Sequence, residues 1–137
     1  MDVLCLEVNY IEVRWKLMDS TKLNILGTEY TIYLKSIKED AKLDRCDGYC
    51  DFTTKTIVIC KHDIDNVMDI GDKYNRYCRI LRHEIIHAFL YESGLDTESD
   101  FASDEVCVDF FAIQLLKIYE AFNNAKDIFR KESDINE

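Results

Sequence analysis

Between about residues 72 and 93, apolar side chains recur at helical spacing (Ile80, Leu81, Ile85, Ala88, Phe89), and His83-Glu84-Ile85-Ile86-His87 stands among them. The period predicts a helix, and Gly94 is the residue type that ends one in a left-handed cap. Beyond Ile85 the pattern is apolar nearly all round, so this helix is expected to be buried on most sides. Two histidines and a glutamate are thereby carried into an interior where each needs a partner, since an unpartnered polar group there costs roughly 1–3 kcal/mol. Whatever this chain folds into must cover that helix and set something against its polar residues.

The rest of the sequence supplies the covering. Residues 3–15 are rich in β-branched and aromatic side chains, with partial alternation at Glu7, Asn9, Glu12 and Arg14. Residues 23–26 and 30–34 flank Gly27-Thr28-Glu29, which predicts a hairpin. A second is predicted from residues 49–52, a turn over Thr53-Thr54-Lys55, and the run Thr56-Ile57-Val58-Ile59-Cys60. Residues 36–47 are charged and irregular. After Gly94, a polar loop over residues 95–100 precedes a second helix with Ser103 as its N-cap. Val106, Phe110, Ile113 and Leu116 give that helix an apolar face reaching about Phe122. Residues 1–62 are thus mainly β, 72–123 mainly α, and 124–137 a charged tail. Strands first and helices afterwards predict one α+β domain, a small, mostly antiparallel sheet with the His-Glu-x-x-His helix and a second long helix on one face. A length of 137 residues suits a single domain, and with no proline and four glycines no stretch reads as a linker.

Charge and composition exclude several functions. The formal charge is −10, with the basic residues scattered among acids, whereas nucleic-acid binders draw most of their affinity from a basic patch. Nucleic acid is therefore not an expected partner; if the acidity biases anything, it is towards basic peptides or proteins. The longest strongly apolar stretch, residues 85–91, falls far below the roughly 18 residues a membrane span needs. The Met-Asp start lacks the basic flank and apolar run of a signal peptide, so a soluble cytoplasmic protein is expected. The six cysteines are accordingly read as free thiols, with Cys78 and Cys107 as small core residues. Cys46, Cys50, Cys60 and His62 could supply four ligands to a second metal, although their spacing matches no familiar finger pattern.

Residues four apart lie on the same helix face, one turn up, so His83 and His87 can each offer a ring nitrogen to one Zn²⁺ at about 2.0–2.1 Å. Glu84 points to an adjoining face, from which it can reach a water beside the metal and serve as general base. A catalytic zinc needs a third protein ligand. No further histidine lies downstream, and the acidic candidates Asp104, Glu105 and Asp109 cluster where the second helix begins. Acids in a first helical turn also interact favourably with the helix dipole, which could account for Asp104 or Glu105 but not for Asp109, one turn deeper.

The run Leu81-Arg82-His83-Glu84-Ile85-Ile86-His87-Ala88-Phe89-Leu90, followed by an acidic helix with Glu105, Val108, Asp109 and Ala112, resembles small zinc metallopeptidase-like proteins of phages and prophages. These are similar to minimal zincins of the ImmA/IrrE kind. Asp47-Gly48-Tyr49-Cys50-Asp51 and Thr54-Lys55-Thr56-Ile57-Val58-Ile59 resemble their hairpin, and the likeness spans roughly residues 23–116. It implies one zinc ion per chain on His83, His87 and Glu105, with Glu84 as base. Asp109, sharing a face with Glu105 and Ala112, is then placed to accept the free ring N–H of a ligand histidine. The resemblance also implies a strand whose free edge pairs with an extended substrate, here Thr56, Ile57, Val58, Ile59 and Cys60, although from the residues alone this run could equally be an internal strand, and an electrophilic helper, for which Tyr49, Tyr74 and Tyr91 are available. The expected activity is zinc-dependent hydrolysis of a peptide bond in a peptide or protein substrate, in a bacterial host cell if the chain is phage-encoded. The alternative is a catalytically silent, zinc-stabilised interaction module that binds a host factor. Hydrolysis of a non-peptide amide is a third reading. Glu84 separates the first from the second, because a purely structural zinc has no use for a base.

Overall fold

The computed structural model describes residues 20–61 and 70–126, and in its second span the side chains from Asn75 onward. The predicted strand over residues 3–15, Cys5, His62, the Tyr74 side chain and the tail from residue 127 lie outside this description. Strands β1 (Thr21–Ile25) and β2 (Thr28–Lys35) form the first hairpin. Its turn is only Leu26-Gly27, shorter than expected, because Thr28 and Glu29 already belong to β2. Both turn residues have positive φ, 49° and 90°, the combination whose twist matches that of the flanking strands. Asn24 Oδ1 accepts from the Gly27 N–H at 3.0 Å and closes the turn.

Strands β3 (Gly48–Asp51) and β4 (Thr56–Cys60) form the second hairpin, with Asp51 Oδ1 accepting from the N–H groups of Thr53 and Thr54. The sheet they complete is mixed, in the order β1-β2-β4-β3. Each hairpin is antiparallel, but β4 pairs with β2 in parallel, Ile32 opposite Ile57 and Leu34 opposite Ile59. The charged segment 36–47 makes the crossover this demands, and its short 3-10 turn (Ala41–Asp44) seats Leu43 against Val58 and Cys60 on the far face of the sheet. One expectation is overturned: Thr56, Ile57, Val58, Ile59 and Cys60 lie between two neighbouring strands, so β4 has no free edge. Among the described residues the edge strands are β1 and β3, and β3 makes the more extensive contact with the helices.

Helix α1 (Ile70–Glu92) lies across the other face. Tyr77, Ile80, Leu81 and Ile85 pack with the buried Ala88 against Ile25, Tyr30, Ile32, Ile57 and Ile59. A Cβ on Gly48 would come within 2.8 Å of Ile80 Cγ2 and 3.0 Å of the Val58 carbonyl oxygen, so glycine is what lets β3 run this close to α1. The carboxylate of Glu92 ties the last turn of α1 to the sheet, accepting from the hydroxyls of Tyr30 (2.7 Å) and Thr28 (3.0 Å) and from Lys55. Burial of α1 is less complete than its sequence predicts, since Phe89 remains 40% exposed. The chain leaves α1 through Gly94 at φ +81°.

The expected loop contains two short turns, α2 (Leu95–Glu98) and a 3-10 turn (Asp100–Ser103), before α3 (Glu105–Ala125). The N-cap of α3 is Asp104, whose carboxylate accepts from the Val106 N–H at 2.9 Å; Ser103, the expected cap, instead donates to the Asp100 carbonyl. Helix α3 packs on α1 and not on the sheet, around Leu90, Ala102, Val108 and Ile86, giving three layers: sheet, α1, α3. Its small Ala112 is buried, and the carbonyl there accepts from Arg82 Nε at 2.9 Å. No helix among the described residues is long and apolar enough to cross a membrane.

Candidate metal centre

His83 and His87 sit one turn apart on the side of α1 that meets the start of α3. Their Nε2 atoms lie 3.0 Å from each other, and Glu105 brings one carboxylate oxygen to 3.1 Å from His83 Nε2 and the other to 3.4 Å from His87 Nε2. On the opposite side of the His83 ring, Asp109 Oδ1 lies 2.9 Å from Nδ1. A carboxylate can only accept, so His83 donates its Nδ1–H there, and Nε2 is the ring nitrogen turned towards His87 and Glu105. Burial pushes the pKa of His87 below its usual value, against the pull of the Glu105 carboxylate, which favours the neutral imidazole that a metal ligand requires.

Three potential ligand atoms, two imidazole nitrogens and a carboxylate oxygen, therefore converge on one point. A proton on His87 Nε2 could serve one of the others but not both, and that arrangement is what a cation relieves. Tetrahedral ligands at 2.0–2.1 Å stand about 3.3–3.4 Å apart, close to the separations seen here. Among the described residues His83, His87 and Glu105 form the one group able to hold a metal ion. The ordinary features of the sequence account for its assembly: helical spacing aligns the histidines, Gly94 turns the chain, and the cap at Asp104 starts α3 where Glu105 faces α1.

Glu84 neighbours this centre without joining it. It is 7% exposed, and the Cys50 backbone N–H on β3 lies close enough to its carboxylate to favour the charged form. Burial is the main force raising its pKa, to about 7; His83 and the Cys50 N–H oppose the rise and Glu105 adds to it. A carboxyl poised there exchanges a proton readily near neutrality. The residues border a cleft of about 870 Å³ that runs between α1 and the edge of β3 and is open on the Glu105 side, where the carboxylate is 68% exposed.

Other expected contributors are elsewhere. Cys50 and Cys60 project from opposite faces of the sheet, Cys50 with Ile57 towards α1 and Cys60 with Val58 and Leu43 on the far side, so they cannot ligate one ion. The idea of a second metal on Cys46, Cys50, Cys60 and His62 fails on that geometry. The Tyr49 hydroxyl is committed to Asp40, and Tyr91, its ring stacked on Phe52 at 4.3 Å, is not among the residues that border the cleft. The sequence gives no sign of the Cys50 N–H, because a backbone donor has no residue signature, nor of Arg76 and Arg79, which line the cleft beyond His83. No family model, curated protein or solved structure matches the chain.

Proposed function

We propose that this chain is a zinc-dependent hydrolase acting on peptide bonds, with His83, His87 and Glu105 as ligands and Glu84 as general base. The observation that carries the reading is the meeting of three potential ligand atoms, on His83, His87 and Glu105, with the buried carboxyl of Glu84 at their side. Zinc bound by such a donor set supplies Lewis acidity and brings the pKa of water towards about 7. Glu84 takes the proton from the attacking water and passes it to the leaving amine, a role its raised pKa suits. The Cys50 N–H holds the Glu84 carboxylate in place, and Asp109 fixes the tautomer and ring angle of His83. In this scheme an extended peptide lies along β3, whose outward-facing groups at Gly48 and the Cys50 carbonyl take no part in the pairing with β4. The reading puts the chain with the minimal zincins that its motif resembles.

The test is a cleavage screen with zinc-loaded protein, repeated on Glu84→Gln. The substitution should keep the fold and the zinc, since Glu84 is not a ligand, and lower hydrolysis by about two orders of magnitude or more. Hydrolysis that survives it would remove Glu84 from the chemistry. Zinc binding without Glu84-dependent turnover on any peptide would favour the silent interaction module.

A further inference from the structure

The cleft differs at its two ends. Beyond His87 stands Asp96. Beyond His83, towards the start of α1, stand Arg76 and Arg79. Arg79 is four residues before His83 and Arg76 seven, so both fall near the histidine face, about 6 and 10 Å back along the axis. The two are not equivalent. Arg76 is held by Asp47 at 2.9 Å, whereas Arg79 is exposed and has no carboxylate within ion-pairing distance among the described residues. At this end β3 runs against α1, Gly48 against Ile80, and Arg79 borders the same cleft, so a chain leaving the metal centre along the β3 edge passes the Arg79 side chain.

We propose that Arg79 is a specificity-determining residue that selects peptides carrying a carboxylate near the bond to be cut, an inference that rests on the peptidase reading above. An extended peptide advances about 3.3 Å per residue, so 6 Å of helix, plus the reach of the arginine, places that carboxylate within about three residues of the scissile bond. The guanidinium offers a planar fork that matches a carboxylate with two parallel hydrogen bonds. This prediction opposes the one the whole-chain charge suggests. A net charge of −10 favours basic peptides in general, but at physiological ionic strength charges beyond about 8 Å are largely screened, so the group in contact decides.

Binding reads this separately from turnover. Zinc-loaded Glu84→Gln protein is titrated with fluorescein-labelled, C-terminally amidated ten-residue peptides that differ at one central position, Glu, Gln or Lys, with anisotropy as the readout. An exposed ion pair contributes a few-fold and a desolvated charge-assisted one about 10- to 100-fold, so in a half-open cleft the Glu peptide should bind about tenfold tighter than the Gln peptide. Adding Arg79→Glu should reverse the order in favour of Lys, and Arg79→Gln, the milder change, should abolish it. A preference seen only with a free C-terminus would support the same guanidinium contact and assign the carboxylate to the chain end. Equal binding of Glu and Gln peptides, best binding of Lys by the Arg79 protein, or an order unmoved by either substitution would overturn the proposal. A Glu preference that depends on Arg79 in a protein that takes up no zinc would leave it standing and sink the peptidase reading instead.

Discussion

Asp104, Glu105 and Asp109 are three carboxylates within one and a half turns, and the structure gives each a different task. Asp104 caps the helix, Glu105 faces both imidazole nitrogens, and Asp109 takes the N–H from the back of the His83 ring. Asp109→Asn keeps the shape but replaces an anionic acceptor with an amide, and zinc affinity should fall about 10- to 100-fold. Asp104→Ala should leave zinc affinity unchanged while removing a cap worth about 0.5–2 kcal/mol of stability. Competition with a chelator for zinc and thermal denaturation measure the two effects separately; loss of zinc on Asp104→Ala would show the division of labour to be wrong. Residue spacing makes His83, Glu84 and His87 legible in the sequence because helical geometry is local. The acids are legible as a cluster, but which one turns inward depends on where the cap falls, and that lies one residue later than Ser103 suggests.

At the scale of elements, both hairpins and both long helices follow from alternation, helical period and punctuation by Gly27 and Gly94. Their arrangement does not. The parallel pairing of β2 with β4 joins segments separated by a charged crossover, and nothing local distinguishes an interior strand from an edge strand when both are apolar; hence Thr56–Cys60 reads as a candidate edge and lies inside. Gly48 is the point where this arrangement meets the site. Gly48→Ala would force its Cβ against Ile80 and the Val58 carbonyl, neither of which can retreat without moving α1 or β4. The overpacking should destabilise the protein by about 1–3 kcal/mol in denaturant unfolding. It should also displace β3 from Glu84, so hydrolysis should fall more than zinc affinity. Unchanged stability would mean that β3 is not as tightly seated as described.

Across the whole molecule, the sheet, α1 and α3 are stacked, and the Glu92 clamp closes the stack at the end of α1 opposite Arg76. Lys55, then Tyr30 and Thr28, hold the Glu92 carboxyl below its usual pKa. A group whose folded pKa is depressed stabilises the native state above its unfolded pKa, about 4.3, and loses that contribution as pH falls through the folded value. Glu92→Gln should therefore lower the Tm at pH 7, and the gap from the native sequence should close as pH drops below about 4. A gap that stays constant to pH 3 would show that the Glu92 charge contributes nothing to the clamp.

The account stands on a cation drawing together His83, His87 and Glu105. The most direct measurement is zinc content and affinity, by elemental analysis and chelator competition, on the 137-residue chain stripped and then reconstituted with excess zinc. The proposed function predicts one equivalent of tightly bound zinc per chain, lost in Glu105→Ala and in His83→Ala with the fold retained by circular dichroism. No stoichiometric zinc after reconstitution, or one equivalent that persists in both variants, would contradict it.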